Sequence, residues 1–269
     1  MMNNRPIGLL DSGVGGLSVV KKVLQKMPHE STVFIGDNAN IPYGDKSQAD
    51  IIDLTRQSVK FLLSKNVKLI IFACNTATAA AMATIQQEVD QQIVGVIQSG
   101  GLLAAQTTHN KKVAVVATNY TISHHAYQQE INFRDPEIKV TELAAPKLVP
   151  LIEQDADEAT CLEAVKSTLA PIMTQEFDTL VLGCTHYPLI KAQFAQALGD
   201  KVKLVDPADQ VAQYTANVME RDGLLSTADN QPAHEYYTTG DVAMFNELGS
   251  KFLNDPAFKA QHLIKGEDY

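Results

Sequence analysis

The chain contains no tryptophan, and its aromatic share is only 6%, too little for the stacking platform on which single-stranded nucleic acid is bound. Cysteine is scarce: three residues and no CxxC pair, which excludes a disulfide framework. Positive charge is also short. Lys and Arg number 22 against 31 Asp and Glu, for a formal net charge of −9, and a protein-wide nucleic-acid footprint would be basic. Only a local basic patch stays open. No apolar run approaches the ~18 residues of a membrane span; the longest strong runs, such as residues 69–74, have strand length. The first residues, Met-Met-Asn-Asn-Arg-Pro, lead into a strand pattern without the apolar stretch of a signal peptide, so the expected location is cytoplasmic. What is present is ordinary globular material: 45% hydrophobic and 20% charged residues in 269. At ~150 residues per domain this makes one large domain or two small ones.

Short apolar runs alternate with helical patterns. Strands are expected over residues 6–10, 32–36, 67–73, 94–97, 112–117, 138–143, 179–183 and 202–205. Helices are expected over 17–26, 46–65, 77–89, 157–175, 187–198 and 209–221, the second carrying Ile51, Leu54, Val59, Leu62 and Leu63 near one face. Loops are read at 38–44, 118–120 and 222–232, with a natural break at Gly100-Gly101. The tail over 235–252 reads strand, turn, helix. This alternation specifies an α/β fold with largely parallel sheets covered on both faces.

The plan occurs twice. Ile7-Gly8-Leu9-Leu10-Asp11-Ser12 resembles Val113-Ala114-Val115-Val116-Ala117-Thr118, and Leu69-Ile70-Ile71-Phe72-Ala73-Cys74-Asn75-Thr76 resembles Thr179-Leu180-Val181-Leu182-Gly183-Cys184-Thr185-His186. Two of the three cysteines therefore sit at the carboxyl end of a strand just before a helix, where open α/β sheets bind ligands. A helix N-terminus favours a thiolate there. Asn75 and Thr76 can cap the first helix, and Pro188 suits the first turn of the second. Cys161, on a helix face with Val165 and Leu169, reads as core.

Each thiol of the matched pair has a bland alternative as a small buried hydrophobe. Their chemistry, if they have one, is not that of a CxxC oxidoreductase. A zinc site would need two further ligands, and Cys184-Thr185-His186 lacks zinc spacing. A cysteine hydrolase would leave one thiol idle. Two thiols across a cleft suit removal of a proton from one face of a tetrahedral carbon and delivery to the other, which inverts a stereocentre. Gly13-Val14-Gly15-Gly16 after a strand, with Asp37 ending the next, is part of a dinucleotide fingerprint. Ser18 stands where its third glycine belongs, and Asp11 would face the pyrophosphate. An NAD enzyme and a non-catalytic α/β ligand-binding protein are the alternatives. The loop amides with Asp11 and Ser12 suit a ligand ammonium group and carboxylate better.

At Leu10-Asp11-Ser12-Gly13-Val14-Gly15-Gly16-Leu17-Ser18, Gly36-Asp37, Pro42-Tyr43-Gly44, Ala73-Cys74-Asn75-Thr76-Ala77-Thr78-Ala79, Gly183-Cys184-Thr185-His186-Tyr187-Pro188 and Thr238-Thr239-Gly240-Asp241, the chain resembles the glutamate racemase family of the aspartate/glutamate racemase superfamily. These segments occur in family order and span nearly the whole chain. The resemblance implies cofactor-independent interconversion of L- and D-glutamate, without metal, for peptidoglycan. It implies two pseudo-symmetric α/β domains, residues 1–97 with 208–269 and residues 98–207, with the active site between them, and a homodimer. It assigns the catalytic thiols to Cys74, acting on the D-enantiomer, and Cys184, acting on the L-enantiomer. Asp11, Ser12, Pro42, Tyr43, Gly44, Asn75, Thr76, Thr185 and His186 match substrate-binding positions; Asp37, His186 and Glu153 match groups that assist the thiols. An aspartate racemase of the same superfamily is the nearest alternative.

Overall fold

A computed structural model describes residues 4–227, 231–264 and 266. Residues 228–230, part of the expected 222–232 loop, and Met1 to Asn3 lie outside them. The strands are β1 (Ile7–Asp11), β2 (Thr32–Gly36), β3 (Leu69–Phe72), β4 (Ile93–Gly95), β5 (Lys112–Ala117), β6 (Lys139–Ala144), β7 (Thr179–Gly183), β8 (Lys203–Val205), β9 (His234–Thr238) and β10 (Gln261–His262). The helices are α1 (Leu17–Lys26), α2 (Gln48–Ser64), α3 (Asn75–Ile85), α4 (Val96–Thr107), α5 (Asn119–Ser123), α6 (Ala126–Arg134), α7 (Leu148–Glu153), α8 (Glu158–Leu169), α9 (Lys191–Leu198), α10 (Pro207–Arg221) and α11 (Val242–Leu253).

Among the described residues these strands form two sheets, ordered β10-β9-β2-β1-β3-β4 and β6-β5-β7-β8, with every neighbouring pair parallel. The run β2-β1-β3-β4 of the first has the same order as β6-β5-β7-β8 of the second, so the sequence echo is a topological one: β1 corresponds to β5, and β3 to β7. Both faces of each sheet are covered. In the first, Leu9, Phe34 and Ile71 face α1, α10 and α11, while Leu10, Ile35, Ile70 and Phe72 face α2 and α3. In the second, Val116, Leu180 and Leu182 face α7, α8 and α9, while Val113, Val115 and Val181 face α4 and α6. Burial on two sides is why these strands are apolar at every position rather than at alternate ones.

Several local expectations change. Gly100-Gly101 is not a break but lies within α4. A Cβ on Gly101 would come within 2.5 Å of Glu130 Cγ, and one on Gly100 within 3.0 Å of the Tyr127 ring, so the glycines let α6 approach α4. The expected strand over 94–97 stops at Gly95, where α4 begins. The 118–120 loop is instead the start of α5, joined to α6 through His125 in the left-handed conformation (φ 52°). The expected helix over 187–198 opens with a 3-10 turn over Tyr187–Ile190, which accommodates Pro188 in its first turn, before α9. No described helix is long and apolar enough to cross a membrane.

Candidate active site

The carboxyl ends of β1, β2 and β3 meet those of β5 and β7 around one narrow cavity. Its wall contains Ser12, Pro42, Tyr43, Gly44, Cys74, Asn75 and Thr76 from the first sheet's connections, and Cys184, Thr185 and His186 from the second. Ile41, Thr118 and Val149 complete it, and the cavity volume is about 20 Å³. Both thiols of the matched pair thus line the same cavity, each on the residue after an equivalent strand. Cys161 lies elsewhere, packed with Val165 and Leu169.

Cys74 is itself the N-cap of α3: its Sγ accepts the Ala77 N–H at 3.4 Å and interacts with Ser12 Oγ at 3.5 Å. Asn75 and Thr76, expected as caps, are the first helical residues. The expectation of a favoured thiolate is also corrected here. Burial and then the nearby Asp11 carboxylate push the Cys74 thiol up to about 12, outweighing the Ser12 and Ala77 hydrogen bonds. In this closed cavity Cys74 is a protonated thiol.

Cys184 has different surroundings. Its Sγ lies 3.8 Å from His186 Nδ1, and His186 Nε2 lies 2.9 Å from Glu153 Oε1 at the end of α7. Burial alone would drive the imidazole neutral, but the hydrogen bonds and charges of Cys184 and Glu153 prevail and raise it to about 10. The result is a buried chain running from Cys184 through the His186 imidazolium to Glu153. The glycine loop is shaped for this chain rather than for a phosphate: a Cβ on Gly15 would fall 2.5 Å from His186 Nδ1 and 2.6 Å from Thr185 Oγ1.

Asp11 stands behind the wall, not in it. Its carboxylate accepts the Gly13 and Gly16 N–H groups at 3.3 and 3.0 Å and the Thr185 hydroxyl at 3.2 Å. Desolvation nevertheless lifts it to about 6, against the His186 charge and those hydrogen bonds. Asp37 is fully buried one layer further out. It accepts the Tyr43 hydroxyl at 2.6 Å, the Thr239 hydroxyl at 2.7 Å and the Asn40 amide at 3.1 Å. Its carboxylate therefore holds the Pro42-Tyr43-Gly44 segment against the β9 end, and with burial it keeps the Tyr43 phenol protonated. Sequence reasoning passed over Thr118, whose hydroxyl meets Thr76 Oγ1 at 2.9 Å. The signal was present, because Thr118 is the counterpart of Ser12 in the internal repeat. Among the described residues no group of three or more His, Cys, Asp or Glu comes together to hold a metal.

Two parallel sheets meeting at their carboxyl ends, with one cysteine from each in a shared cavity, define an α/β protein built for chemistry at the junction. The chain belongs to the Asp/Glu/Hydantoin racemase family, whose model matches residues 7–215. It is 70% identical to a glutamate racemase of Lactobacillus helveticus, over 94% of each chain, and 66% identical to one of Lactobacillus acidophilus over the full length of both. Its fold matches that of a glutamate racemase from Francisella tularensis solved in complex with D-glutamate, with a TM-score of 0.91, 33% identity and coverage of 98% of this chain and 99% of that one.

Proposed function

We propose that this chain racemises glutamate by two-base proton transfer at Cα, with Cys184 acting on the L-enantiomer and Cys74 on the D-enantiomer. The observation that carries the proposal is that two thiols, placed by equivalent strands of a duplicated plan, line one cavity. One thiolate takes the Cα proton, and the electron pair left on carbon delocalises into the substrate carboxylate. The opposite thiol then delivers its proton to the other face.

The barrier is electrostatic, because loss of the proton places a second negative charge beside the first. Ser12, Gly44, Asn75, Thr76 and Thr185 supply hydroxyls and amides to this aci-carboxylate, and a well-placed donor contributes ~3 kcal/mol to such a transition state. The Asp11 carboxylate behind the wall is the counter-charge for the substrate ammonium. That pairing also relieves Cys74 of the Asp11 charge which now raises it. Imidazolium at His186, held by Glu153, stabilises the Cys184 thiolate in the same way. Asp37 acts through Tyr43. The scheme gives every member of the site a role without pyridoxal phosphate or a metal.

We further infer that the working units are residues 1–97 with 208–269 and residues 98–207, that the protein is a cytoplasmic homodimer, and that its D-glutamate goes to peptidoglycan. The test is chiral chromatography of L-glutamate incubated with purified, chelator-treated protein and no added cofactor. D-glutamate should accumulate, with kcat/KM well above that for aspartate, whose shorter side chain leaves cavity donors unpaired. Equal values for the two amino acids, or activity that returns only with a metal, would overturn the reading.

A further inference from the structure

Asn75 lines the cavity from the first turn of α3. Its side chain is not free to choose which end it shows. The hydroxyl of Tyr127, from α6 on the second sheet, donates to Asn75 Oδ1 at 2.6 Å. Tyr127 is wholly buried among Ile97, Ile131 and Val181, its ring 3.0 Å from where a Cβ on Gly100 would lie and 3.1 Å from one on Gly183. The ring therefore has no alternative seat.

A carboxamide offers an acceptor at one end and two donors at the other. With the oxygen engaged by a buried phenol, the NH₂ is the end left for the cavity. We propose that Tyr127 is a positioning residue which fixes the Asn75 carboxamide so that its NH₂ meets the substrate carboxylate. The inference rests on the racemase reading above and adds to it a residue outside the cavity wall. The physical benefit is preorganisation. An unfixed amide would spend part of its time turning its oxygen toward an anion, and that conformer repels the carboxylate both at rest and as charge builds on it. The proposal also explains why one bond joins α3 to α6 across the two sheets at this point: the donor sits on one unit and its orienting group on the other.

Tyr127→Phe keeps the ring and deletes the hydroxyl. We expect folded protein whose KM for both enantiomers rises about tenfold, equivalent to ~1.4 kcal/mol, with a smaller fall in kcat. In the Asn75→Ala background the same change should have no further effect, since a residue acting through Asn75 has nothing left to orient. Additive losses in that cycle would mean that Tyr127 is merely structural and would overturn the proposal, as would an unaltered KM in Tyr127→Phe. Should Tyr127→Phe fail to fold, Asn75→Asp keeps the acceptor for Tyr127 but puts oxygen where the NH₂ points. A fall of kcat/KM by about a hundredfold or more is expected there, and near-normal activity would overturn the orientation. Wild-type protein assayed in parallel separates the two levels. If it does not racemise glutamate, the functional reading fails; if it does and the variants behave otherwise than stated, only Tyr127's role fails.

Discussion

At the scale of single residues, the two thiols are not equivalent even though the strands that carry them are. Cys74 caps α3, contacts Ser12 and is held protonated by burial and the nearby Asp11 carboxylate; Cys184 looks onto the imidazolium of His186. Replacing either by Ala should cut racemisation in both directions by several orders of magnitude, because in the proposed scheme each direction needs one thiol to take a proton and the other to give one. The melting temperature should change little. Retention of near-normal racemisation by either variant would leave a single base serving both faces. The His186 environment makes a second prediction. Glu153 is one of the groups that hold the imidazolium up to about 10, so Glu153→Gln should move the alkaline fall of kcat/KM to lower pH by about one unit or more. The sign for stability is the same. A histidine raised in the folded state contributes fully below its unfolded value of ~6.5 and loses that contribution as pH rises through about 10. In Glu153→Gln this loss should come at lower pH, measurable by denaturant unfolding across that range. An alkaline limb that stays in place would remove Glu153 from the chain.

At the scale of elements, the turn over Val14–Gly16 serves as a wedge between the sheets, pressed against the Cys184-Thr185-His186 segment. Gly15→Ala should therefore destabilise by about 1–3 kcal/mol and lower kcat by displacing His186, read from the melting curve and the steady-state rate together. A fully active, equally stable variant would show that the approach has slack. Most elements were legible in the chain itself. β3 and β7 announce themselves by unbroken apolar runs and α2 by its apolar face; its Ser47 N-cap, which accepts the Asp50 N–H at 3.2 Å, puts the helix start two residues after the expected Lys46. What escaped has definite causes. α5 and α6 are short and bury little beyond Tyr120, Thr121, Tyr127 and Ile131, so they have almost no periodic signal. α7 contains Pro150, which argues against a helix until its position near the first turn is known. β10 is two residues long and exists only because β9 offers it an edge. The cysteines, the Gly15 loop and the Thr185-His186 pair were visible as site residues because polar groups at strand ends are conspicuous. Tyr127 was not, because its partner is on the other sheet and nothing local to it points there.

At the scale of the whole molecule, the cavity and the contacts around it belong together. Asn119 donates to Asp45 at 2.8 Å and Lys251 pairs with Asp155 at 2.6 Å, each joining a segment of one sheet's surroundings to the other's. Ile41 packs into the core of the second sheet. The cavity between the thiols has room for about one water, so on the racemase reading an amino acid bearing two carboxylates would enter only as the two halves part. Exposed polar contacts of this kind are weak, and that suits something broken on every cycle. Asn119→Ala should raise KM about two- to fivefold without lowering kcat, by favouring the open form by ~1 kcal/mol or less; a collapse of kcat would mean that the contact belongs to the chemistry. On the proposed scheme, a proton passing between the thiols would share this narrow space with almost no solvent, and fidelity of the handover from one face to the other would be a matter of timing as much as of the thiols themselves.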